Sequence, residues 1–304
     1  MSPPVEPEAD GRVSRLVGYL RHGDGTALLA VLLWSVNIPL SKLSLGEMDL
    51  LVFSGLRTWL GAAVALIALV LLERDVSLRP ADRLPVVVLG LFGVGLAQLL
   101  FHGGLQLTLA THASLLQGFN PVFAAILASV MGYGRLQPTG WIGVAFCLAG
   151  LWILTGAGWG DPNQRLLLGD ALLLLSGVTG ASYVVLSRHF LKAYSPLKIQ
   201  TYALTSSALM LSPMAIGPWM RQDWTAISWP AYAALAYSGV AATVIAMLFW
   251  LSSVRRIGAI RTALYQYLLP VIGLALSLLL LREGLDVRQA IGGVVLLGGL
   301  FLAL

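Results

Sequence analysis

The residues with chemistry to offer are few, and their spacing is helical. Gln98, His102 and Gln106 recur every four positions, so one helical face carries two amides and an imidazole. Gln117 with Pro121 and Gln266 with Pro270 repeat a second pattern, an amide four residues before a proline. A mid-helix proline has no N–H to give to the carbonyl four residues back, which in both cases belongs to the glutamine. Each pair is therefore expected to expose a backbone acceptor beside a side-chain amide, the two pairs lying at one depth. Asn120, Tyr265 and Tyr267 fall within a turn of these pairs. Trp34, Asn37 and Ser41 share an earlier apolar run, in which Pro39 is an expected kink. Ser182, Tyr183 and Trp250 add to the set from later runs. Acceptors of this kind suit an ammonium group, and the aromatic rings suit an apolar or aromatic body.

Other chemistry lacks its parts. There is no GxxxxGK[ST] phosphate loop, no HExxH, no GxSxG and no aspartate-rich helix for magnesium-diphosphate work. The single cysteine, Cys147, lies in an apolar run and can build neither an intrachain disulfide nor a thiolate zinc site. No cofactor and no metal are expected. The expected substrate-binding set is Trp34, Asn37, Gln98, His102, Gln117, Asn120, Tyr183, Trp250, Tyr265 and Gln266, with kinks at Pro39, Pro121 and Pro270. His102, read as the one histidine well inside an apolar run, is the candidate for proton coupling.

The elements that must position these residues are dictated by composition. Of 304 residues, 58% are hydrophobic and 11% charged, against about 25% charged in an ordinary soluble domain. One core could not hide that much apolar surface from water. A soluble enzyme, a nucleic-acid-binding protein and a disordered chain are excluded, and an all-α polytopic membrane protein remains. Ten apolar segments stand out, at about 26–45, 51–72, 84–107, 112–132, 138–156, 168–190, 197–220, 230–254, 260–281 and 287–304. Residues 1–25 form a polar tail in which Arg12 to His22 is a basic, helically patterned stretch suited to an anionic leaflet.

Ten crossings sort the Lys and Arg residues unevenly: 13 lie on the side of the N-terminal tail, 5 on the other and Arg57 within the second segment. The positive-inside rule makes the richer side cytoplasmic, with both termini inside a bacterial-type inner membrane. Arg57 is expected to snorkel to the outer interface and Lys42 to sit among outer headgroups.

The chain also repeats itself. Shifted by 149 residues, 113–155 lies on 262–304 without a gap and with 11 of 43 positions identical. Gln117 meets Gln266, Pro121 meets Pro270, Gly143 meets Gly292 and Gly150 meets Gly299. Two five-helix halves follow, 26–156 and 168–304. Five is odd, so the second half enters the membrane inverted, an architecture of secondary transporters with a site near the midplane.

Trp34, Arg57, Pro121-Val122, Gly143 and Gly150 in the first half, and Pro270-Val271, Glu283, Gly292 and Gly299 in the second, stand in an order that resembles the drug/metabolite transporter superfamily. More narrowly it resembles the ten-helix EamA-type exporters, within them the aromatic amino-acid exporter branch. The resemblance implies export of small metabolites, often amino acids, without ATP. One departure is Gly134, where the first repeat often carries the loop glutamate present here as Glu283, which favours a structural role for Glu283. The expected partners are a small solute and the lipid bilayer, and a monomer suffices. A carrier of another metabolite or drug, a non-transporting sensor and an embedded enzyme are the competing readings.

Overall fold

The computed structural model describes residues 23–73, 76–132, 138–155, 163–257, 262, 265–284 and 286–302. The basic stretch up to His22 and the loop holding Gly134 lie outside the described residues. Among them stand ten helices and no strand: α1 (Gly23–Leu45), α2 (Leu50–Leu72), α3 (Pro80–Leu107), α4 (Ala110–Val130), α5 (Pro138–Thr155), α6 (Gln164–Phe190), α7 (Pro196–Arg221), α8 (229–257), α9 (Tyr265–Leu281) and α10 (Val287–Leu302). By length and apolarity alone, α1, α2, α3, α4, α6 and α8 can each cross a membrane, while α5, α9 and α10 are shorter apolar helices.

Helix starts follow local rules. The Asp49 carboxylate accepts from Leu51 N at 2.8 Å, and the Ser195 hydroxyl accepts from Lys198 N at 3.1 Å. The Asn163 side chain accepts from Arg165 N at 3.1 Å and so starts α6 four residues earlier than apolarity alone suggests. Pro80, Pro138 and Pro196 occupy first turns, where the missing N–H costs nothing.

The packing obeys the expected inversion. α1 packs on α8 and α9, and α6 on α3 and α4; α2 packs on α7 and α8, and α7 on α2 and α3; α4 faces α9, and α5 faces α10. Exchanging each helix with the one five places away maps this pattern onto itself. The directions agree: Lys42 at the end of α1 donates to Thr108 O at the end of α3, and Gly169 near the start of α6 touches Thr108. The start of α6 therefore lies where α1 finishes. The two ends of the bundle are called here the Gly23 end and the Leu45 end.

The closest crossing is α5 on α10. A Cβ on Gly150 would stand 2.4 Å from Leu296 N, and one on Gly292 2.5 Å from Leu154 N. Only glycine lets the backbones approach this far. The Cys147 thiol donates to Leu296 O at 3.6 Å, a contact between positions exactly one repeat apart.

Two features were not visible in the sequence pattern. α3 holds a π-helical stretch at Leu91–Leu96 and α8 one at Ser238–Ile245, in corresponding places of the two halves. Such stretches disturb the i→i−4 ladder and leave carbonyls to be satisfied from outside. Neighbouring helices supply the donors: Ser207 Oγ to Gly90 O at 2.8 Å, Ser176 Oγ to Ala97 O at 2.8 Å and Trp34 Nε1 to Ala242 O at 2.9 Å.

Candidate functional site

The aromatic residues of the expected site divide between several places. Trp34 on α1 and Trp250 on α8 meet with centroids 5.3 Å apart and rings tilted by 51°. Both are half-buried, and they come from different halves. Their geometry is that of an edge-tilted pair rather than a stack. Asn37, one turn along α1, is buried and its Oδ1 accepts from Ser41 Oγ at 3.3 Å. Pro39 is buried within an unbroken α1. Tyr183, the repeat counterpart of Trp34, lies elsewhere: it packs on Gly93 of the α3 π stretch and donates to Gln200 Oε1 at 2.7 Å.

Ser41 leads into a polar junction between α1, α2, α3 and α8. Its hydroxyl is 3.3 Å from Ser238 Oγ. Arg57 Nε donates to Ser238 Oγ at 2.5 Å, and Arg57 Nη1 donates to Gln98 Oε1, which also accepts from Thr58 Oγ1 at 3.3 Å. Arg57 is buried, so it does not snorkel as expected. The amide and hydroxyls that α3 and α8 turn toward it replace the headgroup water. Among the described residues no carboxylate pairs with it. His102 is fully buried one turn from Gln98. Its Nδ1 is 2.9 Å from Ser54 Oγ, Phe53 and Phe101 present edge-on rings to it at 5.0 and 5.5 Å, and its Nε2 has no partner. The Gln98 and His102 face is thus packed against α2 rather than lining an open wall, because the hydroxyls of Ser54 and Thr58 and the Arg57 fork are there to receive it.

The glutamine–proline pairs also depart from expectation. α4 and α9 each shift to a short 3-10 turn, at Gln117–Phe119 and Tyr265–Tyr267. In α4 this turn brings Asn120 N–H onto Gln117 O, so that carbonyl is not free. The Gln117 amide is engaged too, its Oε1 accepting from Asn120 Nδ2. The pairs do not share a depth. α4 and α9 run antiparallel, Gly118 packs against Pro270 and Ser114 lies 3.4 Å from Ser277. Gln117 and Gln266 are therefore offset along the axis by five to eight residues, roughly 7–12 Å at 1.5 Å per residue. Tyr265 points to the Gly23 end, where its hydroxyl donates to Asp24 Oδ1 at 2.8 Å. Gln266 is half-buried beside it.

The Leu45 end is closed by charge. Lys42 Nζ donates to Leu105 O at 2.6 Å and Thr108 O at 2.5 Å, on the last carbonyls of α3 instead of among headgroups. A helix C-terminus attracts a cation in this way. Glu283, from the turn between α9 and α10, accepts from Ala110 N at 2.9 Å and Thr111 N at 2.8 Å, the first amides of α4. Asp170 is buried six residues into α6. It pairs with His112 at 3.0 Å and accepts from Thr108 Oγ1 at 2.7 Å. His112 carries no signal in the sequence pattern, because it opens α4 and has no acidic neighbour in the chain. At the Gly23 end, by contrast, a cavity of about 440 Å³ opens between α2, α7 and α8, lined by Leu72, Glu73, Leu197, Leu248, Leu251 and Arg256.

The described helices form a bundle with a buried polar centre, tied shut by charged groups at the Leu45 end. The sequence profile of the EamA-like transporter family matches this chain twice, over residues 21–156 and 167–304. The chain belongs to the EamA-like transporter family. The transporter is 28% identical over 251 residues to the uncharacterized transporter YyaM of Bacillus subtilis, covering 81% of this chain and 82% of that one. It is also 28% identical over 277 residues to an uncharacterized transporter of Archaeoglobus fulgidus, covering 90% and 94%. A crystal structure at 22% identity superposes with a TM-score of 0.67 over 91% of this chain and 94% of the other, a likeness of fold. The EamA-like chain is therefore a multi-pass membrane transporter of small molecules.

Proposed function

We propose that this transporter exports small metabolites, amino acids with aromatic or hydrophobic side chains first among them, by alternating access between its two five-helix halves. The observation that carries the reading is the Trp34–Trp250 pair, one tryptophan from each half, beside Asn37 and the Arg57 junction. Rings from both halves hold an apolar or aromatic side chain only while the halves stand in one relation, so rocking them makes or breaks the site. Arg57 has neutral partners alone and is the cation at hand for a substrate carboxylate. The Asn37 side-chain oxygen on α1, which accepts from Ser41 Oγ at 3.3 Å, has a second lone pair for the ammonium group.

The charge asymmetry assigns the Gly23 end to the cytoplasm of a bacterial-type cell, with both termini inside. The cavity between α2, α7 and α8 opens at that end, and solute is expected to enter from that side. The closed Leu45 end is the outer gate. A phosphate-bearing solute is disfavoured, since it calls for several Lys or Arg on the walls.

The test is flux of labelled phenylalanine into proteoliposomes against empty liposomes. Saturable uptake that falls at least tenfold in Trp250→Ala is expected. Saturable uptake of other solutes with phenylalanine ignored would retain the carrier and discard the substrate class.

A further inference from the structure

At the Leu45 end one histidine ties three helices together, and its hydrogen bonds fix its charge. His112 Nδ1 lies 3.0 Å from Asp170 Oδ2 and 3.2 Å from Oδ1. Asp170 already accepts from the Thr108 hydroxyl at 2.7 Å and is therefore the acceptor for Nδ1–H. On the other side of the ring, His112 Nε2 lies 2.9 Å from Gln289 Nε2 of α10. The Gln289 amide is held in this sense because its Oε1 accepts from Asp286 N at 3.0 Å. An amide nitrogen can only donate, so His112 Nε2 must accept and carry no proton. Both His112 and Asp170 are almost wholly buried.

We propose that His112 Nε2 is a proton-binding site of the transporter, and that its occupancy unlocks the Leu45 end. A proton arriving from the aqueous phase at that end lands on Nε2. Nδ1–H remains on Asp170, which gains a full ion pair, so α4 is held more firmly to α6. Gln289 then faces an N–H with an N–H and must give up either His112 or, by turning its amide over, the Asp286 N–H that starts α10, so the α10 end is loosened in both cases. Nothing is oxidised or reduced, and the proton leaves by the reverse step. The other charged groups around His112 do not duplicate this role. Glu283 accepts from the α4 amides just before it, Lys42 holds the α3 carbonyls, Arg165 stands five residues before Asp170, Arg282 flanks Glu283, and the Asp286–Arg288 pair is half exposed to solvent. The site differs from His102, whose hydrogen-bond and ring partners Ser54, Phe53 and Phe101 all belong to the first half. The inference rests on the transport reading for its purpose, but its test requires no solute.

The experiment places spin labels at Gln164→Cys on α6 and Gly284→Cys on the α9–α10 turn, in a Cys147→Ser full-length chain in liposomes. Pulsed-resonance distances are read from pH 8 to pH 5. A longer-distance population growing on acidification is expected, with no such growth in His112→Gln. Gln289→Glu replaces the opposing donor with a charged acceptor and is expected to raise the midpoint by about one pH unit or more. His189→Gln, an exposed imidazole at the far end of α6, should leave the response in place. An unchanged distance in the parent, the same response in His112→Gln, an unmoved midpoint in Gln289→Glu or loss of the response in His189→Gln would each overturn the proposal. Failure of phenylalanine flux with the pH response intact would remove the substrate class and leave the proton site standing.

Discussion

The α5–α10 seam and the junction around Arg57 are both buried contacts between the halves, yet they are built on opposite terms. The seam is backbone on backbone and symmetric: Gly150 meets Leu296 and, one repeat on, Gly299 meets Cys147, each half giving what it receives. The junction is side chain on side chain, polar and one-sided. One repeat away from Arg57, Gln98 and His102 stand Ser206, Met247 and Leu251. The repeat therefore makes the fold, and the Arg57 junction proposed to meet a solute stands where the repeat is broken. The proton-binding cluster at His112 obeys the same rule, since it too sits at one end only.

Substitutions can break this contrast, beginning at the seam. Gly292→Leu forces a side chain into the Leu154 backbone, and overpacking of this kind costs about 3 kcal/mol. Loss of most folded protein in detergent is expected by size-exclusion profile. Gly298, next to Gly299, has open space around it, and Gly298→Ala should raise the melting temperature slightly, since alanine is the better helix former by about 1 kcal/mol.

At the junction the expected effects on folding are smaller and those on function larger. Arg57→Met leaves Ser238 and Gln98 facing an apolar chain, a cost of about 1–3 kcal/mol, and flux should fall at least tenfold. Arg57→Lys should recover folding better than flux, because one ammonium cannot serve Ser238 and Gln98 as the guanidinium fork does. If the methionine variant transported normally, the junction would be scaffold like the seam. Trp34→Phe keeps the ring but strips the donor from Ala242 O, and should cost about 1 kcal/mol in thermal denaturation.

The smallest effect belongs to a contact that lies outside the membrane. Glu47 accepts from Ser228 N at 2.6 Å and Ser228 Oγ at 2.8 Å, and these bonds hold its carboxyl below the usual 4.5. A depressed carboxylate stabilises the fold above its unfolded pKa, and that contribution is lost as pH falls through the folded value. Melting curves of the parent and Glu47→Gln should differ slightly at pH 7 and converge at pH values below 4.5.

How much of this was legible in the sequence depends on whether it came from pattern or from crossing. Ten segments, the inversion and the glycines of the seam could be read because apolar runs and a fixed shift of 149 residues are properties of the chain itself. The π stretches in α3 and α8 could not, as both are set by what crosses them. Arg57 looked like a snorkelling residue because its acceptors, Gln98 and Ser238, are 41 and 181 positions away. The Gln117 carbonyl looked free because the proline rule counts the lost i→i−4 bond and not the tighter turn that replaces it. His112 and Asp170 are 58 residues apart, and only the packing of α4 on α6 reveals them as a pair.

The central claim is that the halves must move against each other for solute to cross. Ser114 on α4 and Ser277 on α9 lie with their hydroxyls 3.4 Å apart, close enough for a disulfide after Ser114→Cys and Ser277→Cys in a Cys147→Ser chain. Phenylalanine flux should stop when this bond is oxidised and return on reduction, whereas flux at the parent rate through the oxidised protein would contradict the account.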